Sequence, residues 1–178
     1  MEDRRTGMGI DTPAEKPVRD PSPLPGILSE AFPQGILETG QPQGDAVALV
    51  EPGHLLKVME FLKKDARLQF NMLADITAVD YLGRNPRFDV VYHLVSIPLG
   101  HRLRIKVRPD DAAPAVESLV SLWDSANWLE REVWDMFGIR FVGHPDLRRI
   151  LLYEEFQGHP LRKDYPIRKR QPLIGPKN

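Results

Sequence analysis

The chain has 178 residues, 42% of them hydrophobic and 28% charged, with a formal net charge of −1 and no cysteine. That is room for one domain of ordinary size and a tail or two, in the composition range of packed globular proteins. The missing thiols exclude a disulfide framework, a cysteine-ligated iron–sulfur cluster, a thiolate nucleophile and a cysteine-based zinc site, so a redox role has to belong to a neighbour.

The N-terminal residues carry charges with no apolar run behind them, unlike a secretory signal, and no stretch approaches the roughly 18 apolar residues of a membrane span. An intracellular, peripheral protein is expected. Residues 1–44 hold 7 of the 17 prolines and 6 of the 13 glycines, which predicts an extended or disordered extension. From Ala46 to Glu51 the run AVALVE reads as a buried strand. Pro52 then suits the first turn of a helix whose Leu55, Leu56, Met59 and Leu62 recur at helical spacing.

Met72 to Leu82, Arg87 to Pro98 and His101 to Val107 read as three strands separated by the turn signals GRNP and PLG, and connections this short favour antiparallel hairpins. In the third, Leu103, Ile105 and Val107 alternate with Arg102, Arg104 and Lys106, a pattern for a sheet covered on one side only. Pro114 marks a second helical stretch. From Trp128 onward Leu129, Val133, Met136 and Phe137 form one apolar stripe, which Gly138 stops.

After Gly143 periodicity is lost, in a segment too long for an ordinary loop. The expectation is an α+β fold: residues 45–142 as a mainly antiparallel sheet of about four strands with helices on one face, and 143–178 as an extended basic arm that leads away and wraps a partner. Charge supports an arm with an anionic partner surface, since Leu147 to Asn178 carries +5 and the preceding residues −6. A solvated basic end is the plainer alternative.

Residues 130–166 are dense in unusual types. Arg131 and Asp135 stand four apart on the helix, where an exposed ion pair is the ordinary outcome. Gly143-His144-Pro145 and Gly158-His159-Pro160 repeat a tripeptide, with Asp146 and Asp164 nearby. Two histidines and two carboxylates are a donor set for zinc or iron in a metal-dependent hydrolase, although Gly- and Pro-broken chain favours histidines that merely cap turns. Arg148-Arg149, Arg162-Lys163 and Arg168-Lys169-Arg170 suit carboxylates of a partner protein as well as phosphates. No nucleic-acid-reading motif accompanies them, so no nucleic-acid partner is expected.

The string Glu130-Arg131-Glu132, Asp135, Gly138-Ile139, Phe141 and Gly143 through Leu151 resembles the signature of the 30 kDa subunit of respiratory complex I. Gly158 through Pro166 is similar to the same family's C-terminal motif, as are DITAVDY at Asp75–Tyr81 and YHLVS at Tyr92–Ser96, so the resemblance spans about residues 46–166. Asp124 departs from it, standing where a proline would follow Trp123.

The resemblance implies a cofactor-free subunit of the peripheral arm of a proton-translocating NADH:quinone oxidoreductase, on the cytoplasmic side of the inner membrane. FMN, iron–sulfur clusters and quinone would all lie on partner subunits. The arm would pack on the quinone-site subunit, of the 49 kDa type, and neighbouring iron–sulfur subunits. Glu130, Arg131, Glu132, Asp135, His144, Asp146, Arg148 and Arg149 would fix the start of the arm; Arg162, Lys163, Asp164 and Tyr165, beside His159, would anchor its end. None is expected to be catalytic. The equivalent subunit of a membrane-bound hydrogenase, or of a quinone reductase fed by another donor, is the nearest rival.

Overall fold

The computed structural model describes residues 23–172. In chain order come α1 (Pro23–Ala31), β1 (Ile36–Gly40), β2 (Ala46–Val50), α2 (Leu55–Lys64), β3 (Met72–Asp80), β4 (Phe88–Ser96), β5 (His101–Val107), β6 (Ala115–Glu117), α3 (Ala126–Phe137) and β7 (Arg140–Val142). Pro52 opens a short 3-10 turn, Pro52–His54, that runs into α2, consistent with a residue that has no N–H to leave unpaired. Gly138 takes φ 77° and caps α3, its N–H bonded to the Trp134 carbonyl.

The main sheet has five strands in the order β1-β2-β5-β4-β3. Its neighbours are antiparallel except for β2 and β5, which run parallel with Ala46 opposite Leu103 and Val50 opposite Val107. On one face Val50, Ile76, Val90, Tyr92, Leu94, Leu103, Ile105 and Val107 join Leu24 and Leu28 of α1, Leu55, Val58, Met59 and Leu62 of α2, and Val133 of α3 in a single core. Fully burying one such side chain contributes roughly 1.5–3 kcal/mol. The helices therefore cover the face that the alternation in β5 marks as apolar.

Two expectations need correction, and the expected mainly antiparallel sheet is sharpened in detail. Residues 1–22 lie outside the described residues, but the rest of the 1–44 extension is structured. Leu24 and Leu28, one helical turn apart, are buried in the core, and β1 obtains its order from backbone pairing with β2 despite an exposed, polar outer edge. Pro114 precedes a strand, not a helix. Val116 is buried between the less buried Ala115 and Glu117, and β6 pairs parallel with β7. The main sheet gains a fifth strand, and its central pairing is parallel because α2, β3 and β4 all intervene between β2 and β5.

Residues 143–172 contain no helix or strand, as the loss of periodicity predicts. They do not lead away from the domain. The segment folds back over α3 and the ends of β3 and β4, where Leu161 N–H bonds to the Met136 carbonyl and Lys163 N–H to Asp80.

Candidate functional site

The segment is held by buried carboxylates at two places. The first is Asp135 on α3, fully buried. Its Oδ2 accepts three successive backbone N–H groups, from Ile150 at 3.1 Å, Leu151 at 3.0 Å and Leu152 at 2.9 Å. Its Oδ1 takes Arg149 Nη1 at 2.5 Å. Burial pushes this carboxyl upward, yet the three amides and the guanidinium outweigh it and its pKa lies below the ordinary carboxylate value. Arg149 also donates to the carbonyls of Phe156 and Gly158, so one guanidinium ties the helix to both ends of the 149–158 loop.

The second holding point is Asp80 at the end of β3, gripped bidentately by Arg87 at 2.6 and 2.7 Å and receiving Lys163 N–H at 2.7 Å. Arg87 reaches on to Asp164 at 2.9 Å, and Arg162 pairs with Asp164 at 3.2 Å. These guanidinium groups hold the carboxyls of Asp80 and Asp164 below the usual range, and the carboxylates raise Arg87 in turn.

Arg131 and Asp135 do not pair with each other. Arg131 donates to the carbonyls of Arg148 and Arg149, lying 5.3 Å over the Trp128 ring. His144 uses one ring nitrogen toward the Asn127 carbonyl and the other toward Asp146 N–H, so it caps a turn. His159 donates through Nδ1 to the Asp135 carbonyl at 2.9 Å. Its ring lies where a Cβ on Gly138 would stand, 2.7 Å from it. Tyr165 stacks on Phe156 and passes close over Gly158. The hydrolase donor set of His144, Asp146, His159 and Asp164 is not assembled: among the described residues no three His, Asp or Glu gather where they could hold a metal ion.

Glu130 does not fix the arm. It is fully buried and binds Ser118 Oγ at 2.7 Å and Leu119 N–H at 2.6 Å, pinning the loop after β6 to α3. Burial raises its pKa to about 7, and the buried Tyr92 phenol, whose hydroxyl has no partner among the described residues, is raised by burial and by this carboxylate. Glu132 is exposed, and Arg148 and Asp146 form an exposed pair at 2.8 Å. The expected site residues thus divide into internal clasps (Arg131, Asp135, Arg149, His159, Asp164) and outward groups (Glu132, Asp146, Arg148, the Lys163 side chain). Asp80 and Arg87 escaped the site reading; a carboxylate at a strand position that faces the core was the available signal.

Around these clasps Trp128 (63% exposed), Val142, Leu151, Leu161 and Ile167 (100%) present apolar side chains to solvent. Among the described residues no helix is long and apolar enough to cross a membrane.

Residues 48–171 match the family described as respiratory-chain NADH dehydrogenase, 30 kDa subunit. A protein of Citrifermentans bemidjiense, named as the C-type subunit of NADH-quinone oxidoreductase, is 46% identical over 150 residues, 83% of this chain and 92% of its own length. The protein of the same name from Roseiflexus sp. strain RS-1 is 49% identical over 140 residues, 79% of this chain and 80% of its own length. Among solved structures, the trypsin-resistant fragment (1-134) of Nqo5 superposes with a TM-score of 0.61 at 38% identity, covering 70% of this chain and 98% of the fragment. A chain of an archaeal respiratory complex, the membrane-bound sulfane sulfur reductase, shares the fold at 22% identity, with a TM-score of 0.71 over 84% of this chain and 87% of that one.

Proposed function

Because the chain belongs to the family of the 30 kDa subunit of respiratory-chain NADH dehydrogenase, we propose that it serves NADH:quinone oxidoreductase as a cofactor-free structural subunit that seats the quinone-site subunit. It is one component of a multi-subunit oxidoreductase. Electron transfer and quinone chemistry would then occur on its partners, with this subunit holding them in register on the cytoplasmic side of the membrane.

The observation that carries the reading is the clasped segment itself. A chain without regular structure is held to one course by Asp135 and Asp80, while Trp128, Leu151, Leu161 and Ile167 face outward. Exposed apolar groups in such a setting mark a surface for another protein. Two buried carboxylates saturated with donors keep that surface in shape before a partner arrives, which lowers the ordering cost of association. Arg148, exposed beside Asp146, is the cation best placed to reach a partner's carboxylate.

Affinity purification of the tagged chain from gently solubilised membranes, with mass spectrometry of what accompanies it, tests this. Recovery with flavin, iron–sulfur and quinone-site subunits is expected. Recovery alone would sink the structural role, and a nickel hydrogenase subunit in place of the flavin subunit would move the chain to that rival complex. Within the assembled enzyme, Arg148→Ala should lower the yield of complex, by about 2–5 kcal/mol of association if its carboxylate partner is buried. Normal yield with slowed turnover would count against the role.

A further inference from the structure

The helices and the clasped segment leave the opposite face of the sheet to β5's cations. Register places Arg104 between Val47 and His93, and Lys106 between Leu49 and Val91. Arg102 is exposed beside Val95, and Arg104 and Lys106 are partly buried. At strand spacing these three charges stand roughly 7 Å apart in a straight column. None has a hydrogen bond or ion pair among the described residues, and the Nε of Arg104 is buried without a partner. Two hollows flank the column, one of about 290 Å³ bounded by Asp45, His93, Arg102 and Arg104, and one of about 180 Å³ bounded by Glu38, Leu49, Lys106 and Arg108.

We propose that this face, along Arg102, Arg104 and Lys106, docks a carboxylate-bearing surface of a second protein subunit, separate from whatever the clasped segment binds. Unpaired guanidinium and ammonium groups beside the half-buried Val47 and Val95 fit a protein surface that brings acids in the centre and apolar groups around them. The rim speaks against a polyanion. Glu38, Asp45 and Asp75 flank the column and would repel a phosphate backbone or an anionic bilayer, whereas a protein can place its own cations opposite them. Beside the column the described residues offer the half-buried His93 ring but no Phe, Tyr or Trp for stacking nucleic-acid bases. The inference rests on the chain being assembled with other subunits, but not on which subunit the clasped segment seats.

Carbodiimide cross-linking of the purified complex reads it directly, because the reagent joins an amine to a carboxylate already in contact. The expected product links Lys106 to an aspartate or glutamate of another subunit. The double variant Arg102→Glu/Arg104→Glu, outward on the sheet and so compatible with folding, should lose that product while the full-length chain keeps its melting temperature. Lys106 that acetylates in the complex as fast as the exposed Lys57 would overturn the proposal. So would protection of Lys106 that disappears on delipidation or nuclease treatment. A chain that purifies alone would instead refute assembly itself, a result distinguishable from an open Lys106 within an intact complex.

Discussion

The sheet domain and the segment after it draw order from different sources. From Ala46 to Phe141 position is set by a continuous apolar core in which each residue is held by many weak contacts. From Gly143 to Lys163 it is set by two carboxylates, Asp135 and Asp80, each satisfied by several directed donors. A core of dispersed contacts loses stability as one cooperative unit; a segment hung on two points can lose its order at one of them while the core stands.

The largest test of that contrast is Asp135→Ala. Removing the carboxylate orphans Arg149 and three amides in a buried site, at a cost of about 3–5 kcal/mol. Hydrogen exchange should show residues 150–152 losing protection while β4 keeps its own. In the comparison variant Ile105→Ala, a cavity worth about 2–5 kcal/mol should lower protection in both regions together. If Asp135→Ala loosens β4 as much as the loop, the two regions are one cooperative unit and the contrast is wrong.

Next in size is the pH response of Glu130, a carboxylate inside the core. Its folded pKa, about 7, lies above its ordinary value near 4.5, so the folded state binds the proton more tightly than the unfolded one. Its contribution is complete below the ordinary value, is lost as pH rises from there to about 7, and then levels off, on the order of 3 kcal/mol in all. Glu130→Gln should remove that slope in denaturant titrations. His93, lowered by burial and by Arg104, acts with the opposite sign in both proteins, so the difference between the two profiles isolates Glu130. Parallel profiles would show that the carboxyl ionises without cost.

The smallest effect belongs to Asp164→Asn. With its side chain 46% exposed, this carboxylate is screened, and its loss should cost less than about 1 kcal/mol. The change should appear only as faster exchange around Lys163, with the Asp135 clasp intact.

How much of this was legible in the sequence follows the same division. Runs rich in Val, Ile, Thr, Tyr and Leu between turn signals gave β3, β4 and β5, and the stripe ending at Gly138 gave α3, because burial writes itself into the order of residues. The partners of Asp135 lie 14 to 17 residues away and those of Asp80 as far as 83, distances that leave no periodic trace. Spacing pointed Asp135 at Arg131 and charge read Arg149 as facing a partner or phosphate, and the resemblance of the motifs did not separate internal groups from outward ones. Glu130 reads as one of the residues that fix the start of the arm, because nothing nearby in sequence announces Ser118 as its partner. In α1 the signal was present, Leu24, Ile27 and Leu28 at helical spacing, but the surrounding prolines and glycines outweighed it. Strand β1 has an exposed polar edge and no apolar pattern to read.

The parallel pairing of β2 with β5 also sets the order in which the fold can close. Ala46 meets Leu103 57 positions later. During synthesis, β2 emerges with only β1 to pair with, and β3, β4 and β5 form a meander of local hairpins. The two halves can join only after β5 has left the ribosome. Until then the apolar edge of β2 has no strand to cover it, so this chain carries its greatest exposure to misassembly in the middle of translation rather than at the end.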